Sequence, residues 1–337
     1  MNIIFPNLTL AKLPANNPSS VREFISCGRY TITPIEHDYA GKTATMWNVA
    51  YKHFGMDRAM AMMVGESSNA KRILEHFRKD AKYVGGGSGV GFKDENVHHV
   101  DVLDPLAKAI GAINLIQKLP SGQLKGWNTD GLGYCQSLEA MLAKNGESLQ
   151  GKKVIILGAG GTGNAIALTL AERGAHIVIL NRTTEKAEEL AERINHYLGI
   201  ARARAGGEEL IEAEAKNADV VINVSTKGAT GAFEDYCALA PAKLPATKEN
   251  VEENISASEK IFDIIPRTAI ISDIVLRSTP SPFLKRAEEL GFTTLNGVPM
   301  VINQGVEAFL IIHEKELMGH INLRCQVYEV MKNAANY

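Results

Sequence analysis

Residues 154–157 read VIIL and 176–181 read HIVILN, with the glycine-rich turn GAGGTGN and a helical pattern closed by Gly174 between them. Short apolar runs bounded by turn residues fit strands buried on both faces, whereas apolar positions every three to four residues fit a helix. The alternation continues through TTEKAEELAERINHYL (183–198), ADVVINVS (218–225) and AIISDIVL (269–276). Strand, helix, strand in this order predicts a right-handed, doubly wound parallel sheet. Upstream, TATMWNVAYKHFG (43–55) and SNAKRILEHFRKDA (68–81) carry helical spacing between further apolar runs, which predicts a first α/β domain. Residues 1–28, rich in Pro, Asn and Ser, are expected to form an N-terminal extension or loosely packed arm. ATKENVEENISASEK (246–260) is polar and helix-compatible, and it reads as part of a surface insertion over 229–265.

Composition narrows the class. At 337 residues, 45% hydrophobic and 22% charged, the chain is long enough for two globular domains. A net charge of −2 offers no general field for nucleic acid or a membrane surface, and no apolar stretch approaches the length of a membrane span. The four cysteines, Cys27, Cys135, Cys237 and Cys325, are scattered without a C-x-x-C pair, so neither a metal site nor a disulfide framework is expected. The start MNIIFPNLTLAK lacks a basic segment followed by a sustained apolar run. The expectation is a cytoplasmic protein, monomer or homodimer, acting on a small-molecule substrate without nucleic acid or membrane.

Gly158, Gly160 and Gly161 follow the first strand of the doubly wound region directly, and Gly163 falls near the start of its helix. Small residues there let the backbone approach a pyrophosphate, which sits on the free N–H groups of the helix N-terminus. The pattern predicts dinucleotide binding; the plain alternative is a tight strand-to-helix turn. The end of the second strand decides which dinucleotide, because NAD sites usually place a carboxylate there for the ribose hydroxyls. This chain has Asn181-Arg182-Thr183, beginning 23 residues beyond Gly158. An arginine fork suits the 2′-phosphate of NADP, the expected cofactor ahead of NAD. Lys186 either adds charge or is a solvated helix lysine. The full expected set is Gly158, Ala159, Gly160, Gly161, Thr162, Asn181, Arg182, Thr183, Lys186, Val224 and Met300.

A second glycine-rich stretch, GGGSGVGFKDEN (85–96), ends on Lys93. It reads as a phosphate cradle, a catalytic lysine held beside a substrate, or a flexible turn. The first reading fails on spacing. A P-loop needs G-x-x-x-x-G-K-[ST], but after Gly86 and Gly91 Phe92 displaces Lys93 by one place and Asp94 replaces the hydroxyl.

GAGGTGNA, NRTTEKA, GAINLI (111–116), GWNTDGLGY (126–134), SDIVLRSTPSPFL (272–284) and NGVPMVINQGVEAF (296–309) resemble the shikimate/quinate dehydrogenase family over roughly residues 30–320. The intervals, 21 residues from Lys93 to Asn114 and 16 on to Asp130, match that family's lysine, asparagine and N-T-D-G aspartate. The resemblance implies an α/β, two-domain protein. An α/β substrate-binding domain would cover 29–129 plus 298–337, and a Rossmann-type doubly wound parallel-sheet domain binding NADP would cover 130–297. It also implies hydride transfer between nicotinamide and a secondary alcohol or ketone of a small polar, alicyclic substrate, of the kind used in aromatic amino acid biosynthesis. Shikimate dehydrogenase proper, reducing 3-dehydroshikimate, and a non-catalytic dinucleotide-binding regulator are the alternatives.

In this reading Lys93 and Asp130 are catalytic. Oxidising an alcohol requires removal of its hydroxyl proton, and reducing the ketone requires its return. Lys93 can do either if a partly dry site lowers its pKa toward the working pH, with Asp130 holding lysine and substrate in place. Asn114 and Gln304 offer amide groups to neighbouring ring hydroxyls, or else cap a turn and sit on a helix surface respectively. The substrate anchor departs from the family. Where its H-S-x-S-P supplies two hydroxyls to the ring carboxylate, this chain has His37-Asp38-Tyr39-Ala40-Gly41, so Asp38 is expected to face and repel a carboxylate. Gly89 stands for the family's threonine before the lysine, and Leu276 for the tyrosine after Asp273.

Overall fold

The computed structural model describes residues 7–335. They form two compact units, residues 134–301 and the flanking stretches 7–133 with 302–335. In the 134–301 unit the apolar runs pair as their composition requires: Ile155 lies opposite Val178 on one side and Val221 on the other, all buried. The described residues make a six-stranded sheet, ordered Ala203–Gly206, His176–Leu180, Lys153–Leu157, Val220–Asn223, Ile270–Asp273, Thr293–Asn296. Every neighbouring pair is parallel. Third, second, first, fourth, fifth, sixth in this unit's chain order is the dinucleotide-binding order, with its switch point between Lys153–Leu157 and Val220–Asn223.

The stretch expected as a surface insertion is a structural part of this unit. Helix Lys248–Phe262 is capped by Thr247, whose side chain accepts from the Asn250 N–H, and it lies between Val220–Asn223 and the parallel strand Ile270–Asp273. Parallel neighbours need such a crossover. Ile261 and Phe262 join the core beside Phe283 and Phe292, and buried Asn254 donates to the carbonyls of Cys237 and Ala240. The preceding polar run conceals this role, because the core-facing apolar residues are concentrated at the helix's end.

The other unit carries a mixed seven-stranded sheet among the described residues: Thr9–Leu10, Arg58–Val64, Arg29–Ile35, Tyr83–Gly87, Leu115–Lys118, Leu124–Trp127, Val102–Leu103. Of the arm expected over 1–28, residues 1–6 lie outside the described residues. The rest is built into the fold. Thr9–Leu10 pairs antiparallel with Arg58–Val64, Leu8 and Phe24 are core residues, and the Asn17 side chain bonds both backbone groups of Met62. Polar composition was misleading here because Asn and Ser side chains satisfy backbone groups of the neighbouring strand and of the helix Val21–Ser26. The glycines of Tyr83–Gly87 have a steric reason: a Cβ on Gly86 would stand 2.0 Å from the Ile32 carbonyl oxygen.

Helix Thr43–His53 packs an aromatic cluster on the end of helix Val298–His313, with Trp47 edge-on to Phe309 and the Tyr51 hydroxyl 2.9 Å from His313 Nε2. His313 is fully buried, and its Nδ1 lies 3.7 Å from Glu316, which pairs with Arg58. Burial outweighs the carboxylate and holds the imidazole below its ordinary value. A histidine whose folded pKa lies below its unfolded value contributes stability above about pH 6.5 and loses it on acidification. Urea melts should therefore show this unit weakening below about pH 6.5, by at most about 1.4 kcal/mol per pH unit from this group. His313→Gln should flatten that slope. Tryptophan fluorescence isolates the unit, since Trp47 and Trp127, the chain's two tryptophans, both lie in it. An unchanged slope in His313→Gln would assign the acid sensitivity elsewhere.

Candidate functional site

Lys93 opens the short helix Lys93–Asn96, fixed from below by fully buried Phe92. Its carbonyl accepts from the Ile113 N–H, and buried Asn96 donates to Ser88 Oγ. The lysine is therefore part of a braced turn. Asp130 begins the helix Asp130–Ala143, and its N–H donates to Asn128 Oδ1. Lys93 Nζ and Asp130 Oδ2 are 2.5 Å apart, with the lysine side chain 33% and the aspartate side chain 11% exposed. The pair is supported but open to solvent on the lysine side.

Asn114 connects the same residues from behind. Its Nδ2 donates to Asp130 Oδ1 at 2.7 Å and to Thr129 Oγ1 at 3.0 Å, while its Oδ1 accepts from the Thr129 N–H at 2.8 Å. Gln304 Oε1 stands 3.5 Å from that Nδ2, and the Gln304 carbonyl accepts from Thr129 Oγ1. The structure thus brings Lys93, Asp130, Asn114 and Gln304 together. It gives Asn114 a different part from the one expected: a buried amide with its hydrogens committed to Asp130 and Thr129 orients the carboxylate. Thr129, unassigned in the sequence, is the hinge of this network; its position inside N-T-D-G was the available signal.

Electrostatics reverses the expected direction for Lys93. Burial alone would lower its pKa, but the charge and hydrogen bond of Asp130, with smaller help from Tyr39 and Asp94, hold it above the ordinary lysine range. The group is an ammonium, poised as a proton donor. Tyr39 is a second residue missed in the sequence. Burial raises its phenol, opposed by the charge of the nearby Lys93.

Asp38, expected to face a substrate carboxylate, also has a structural part. Its carboxylate accepts the backbone N–H groups of Lys12 at 2.7 Å and Leu13 at 3.1 Å, tying down the N-terminal segment. Motif position gave no sign of those amides.

In the parallel-sheet unit, Gly160 caps the helix Gly161–Glu172 and Gly158 takes φ 118°, where a Cβ would meet the Ser225 backbone nitrogen at 3.0 Å. Gly158, Ala159, Gly160, Asn181, Arg182 and Val224 line one cleft of about 210 Å³, so most of the expected nucleotide contacts are gathered. Gly161 and Thr162 follow in the first turn of the helix. Thr183 caps Thr184–Leu198, where its carbonyl accepts from Asn181 Nδ2; Lys186 is exposed in that helix's first turn. Met300 is buried in Val298–His313 and is not among the cleft-lining residues. Arg182 is exposed and in no ion pair among the described residues.

Sequence reading missed Ser225, Thr226, Lys227, Glu208 and Phe233, which also line this cleft. The SDIVL motif holds part of it. Asp273, buried at the end of its strand and pushed up to about 6 by burial, accepts from Ser281 Oγ and Asn223 Nδ2. Asn223 in turn accepts from Ser225 through Oδ1 and donates to the Lys227 carbonyl. The fit to a dinucleotide is good: a turn whose first glycine has a positive φ and a close backbone neighbour, open space over Gly160 and Gly161, a helix N-terminus and an exposed guanidinium.

Fold and site are those of a Rossmann-type dinucleotide-binding unit joined in one chain to a unit carrying a braced lysine–aspartate pair. Residues 140–235 match the model of the family described as shikimate / quinate 5-dehydrogenase. The chain is 32% identical over 284 residues to the shikimate dehydrogenase (NADP(+)) of Alkaliphilus metalliredigens, covering 83% of this chain and 86% of that protein. It belongs to the shikimate/quinate dehydrogenase family. Among solved structures it resembles shikimate 5-dehydrogenase from Listeria monocytogenes in complex with shikimate and NAD, at TM-score 0.73 and 26% identity over 90% of this chain and 96% of that one. It also resembles 5-ketofructose reductase of Gluconobacter sp. strain CHM43, at TM-score 0.68 and 27% identity over 91% and 98%. No helix among the described residues is long and apolar enough to cross a membrane.

Proposed function

We propose that the chain is an NADP-dependent oxidoreductase of the shikimate/quinate dehydrogenase type, interconverting a secondary alcohol and a ketone on a small polyhydroxylated substrate. The observation that carries this is the Lys93–Asp130 pair braced by Asn114, in the same chain as the glycine cleft. The bound nicotinamide dinucleotide supplies or accepts the hydride. Lys93, held as an ammonium, hydrogen-bonds the substrate oxygen and delivers its proton as the ketone is reduced. Asp130 keeps that ammonium charged and aimed, and Asn114 with Thr129 keeps Asp130 from turning. Gln304 has its amide oxygen beside the Asn114 amide and the Thr129 hydroxyl and is the residue we assign to a neighbouring substrate hydroxyl.

The substrate has two readings. Shikimate itself is favoured by relatives that carry that name across most of the chain. An uncharged polyol ketone is favoured by the anchor segment, in which Ala40 has no hydroxyl and Asp38 is committed to backbone amides, and by the likeness to 5-ketofructose reductase. A cytoplasmic monomer or homodimer working without nucleic acid completes the proposal, supported by the near-neutral charge and unpaired cysteines.

The cofactor assignment is tested by titrating both nucleotides. NADP should bind more tightly than NAD, and Arg182→Ala should weaken NADP by about ten- to a hundredfold through loss of charged hydrogen bonds, leaving NAD nearly unchanged. Equal or tighter NAD binding by the wild type would sink the assignment.

A further inference from the structure

Glu208 is the one carboxylate among the described residues lining the dinucleotide cleft. It begins the turn Glu208–Leu210, just past the strand Ala203–Gly206 that pairs with His176–Leu180. The Asn181 N–H bonds the Gly206 carbonyl, so this turn stands beside the Asn181-Arg182 end of the neighbouring strand. An unpaired carboxylate in such a place serves ribose hydroxyls and repels a 2′-phosphate.

Glu208 is not unpaired. Lys227, 8% exposed, places Nζ 2.6 Å from Glu208 Oε1 and donates also to the carbonyls of Ala240 at 2.7 Å and Ala238 at 3.4 Å. Three acceptors match the three ammonium hydrogens. The lysine backbone is fixed as well, its carbonyl held by Asn223 and its N–H by Ser225 Oγ. A buried ammonium with every hydrogen committed contributes no free donor to a ligand, but it cancels the charge of the carboxylate beside it. Arg182 is then left as the uncancelled charge lining the cleft.

We infer that the Lys227–Glu208 pair is a further determinant of dinucleotide choice: Lys227 masks a carboxylate that would otherwise oppose the 2′-phosphate beside Arg182. The inference rests on the NADP reading above. It makes the masking charge, as well as the arginine, responsible for the preference.

The test is the ratio of NADP to NAD dissociation constants, measured by titration of the full chain for wild type, Lys227→Met, Glu208→Gln and the double variant. Lys227→Met should shift the ratio toward NAD by about tenfold or more, and adding Glu208→Gln should restore it. Glu208→Gln alone should leave NADP binding at or above the wild-type level. If Lys227→Met weakens both nucleotides equally and the double variant is not rescued, Lys227 only braces its loop and the inference is overturned. Should Lys227→Met fail to fold, Glu208→Gln still decides, because a tenfold loss of NADP binding in it would contradict a masked, opposing carboxylate. The wild-type ratio alone tests the cofactor reading, whereas its change on substitution tests the pair.

Discussion

Lys93→Ala is expected to lose hydride transfer by about a hundred- to ten-thousandfold, the usual contribution of a positioned general acid, while dinucleotide affinity survives. The affinity should survive because Lys93 and the glycine cleft belong to different compact units. Asp130→Ala should lose a similar factor, and the double variant should be little worse than either single one, since Asp130 acts through the lysine it holds. The pH profile separates this role from a merely structural one. Because Asp130 keeps Lys93 above the ordinary lysine range, ketone reduction should be flat near neutrality and fall only in alkali, while alcohol oxidation should rise with pH. Asp130→Asn removes the raising charge and leaves burial, which lowers the lysine, so the alkaline limb should move to lower pH. Full activity in Lys93→Ala, or an unmoved limb in Asp130→Asn, would refute the assignment.

What was legible in the sequence follows from the range of the interactions involved. The parallel sheet was readable because VIIL, IVIL and VVI state their burial on both faces, and the glycine turn and Asn181-Arg182 are local signals at fixed distances from those strands. Lys93, Asn114 and Asp130 were readable only through the spacing of motifs, since bonds such as Lys93 to Asp130 span 37 residues. Lys227 was invisible for the same reason. Its partners, Glu208 behind it and Ala238 and Ala240 ahead of it, share no periodicity with it. Composition misled twice, at residues 7–28 and at helix Lys248–Phe262, where polar side chains satisfy buried backbone and few apolar residues make the core contacts. The direction of the Lys93 shift needed coordinates, because dryness and a neighbouring carboxylate oppose each other and only their distances decide between them.

Shikimate is expected to be a poor substrate beside an uncharged polyol ketone. The family's ring-carboxylate anchor is two hydroxyls, and this chain offers Ala40 in one place and, in the other, an Asp38 whose carboxylate is already bonded to the Lys12 and Leu13 amides. Two lost hydrogen bonds to a charged group, each roughly 1.5–3 kcal/mol, correspond to a hundredfold or more in binding. Tyr39, between Asp38 and Ala40 in sequence and close enough to Lys93 to feel its charge, adds a phenol but no positive charge to the segment. Substituting Asp38 is a poor test by itself, because Asp38→Ser also releases the N-terminal segment. Ala40→Ser leaves that tie intact and restores one hydroxyl, so it should raise kcat/KM for shikimate by about tenfold without changing dinucleotide affinity. Steady-state kinetics with shikimate, quinate and uncharged cyclic and open-chain polyols, for wild type and Ala40→Ser, decides the matter. Ordinary turnover of shikimate by the wild type would show that some other group anchors the carboxylate. A gain confined to the carboxylate-bearing substrates in Ala40→Ser would place the change of specificity in this segment.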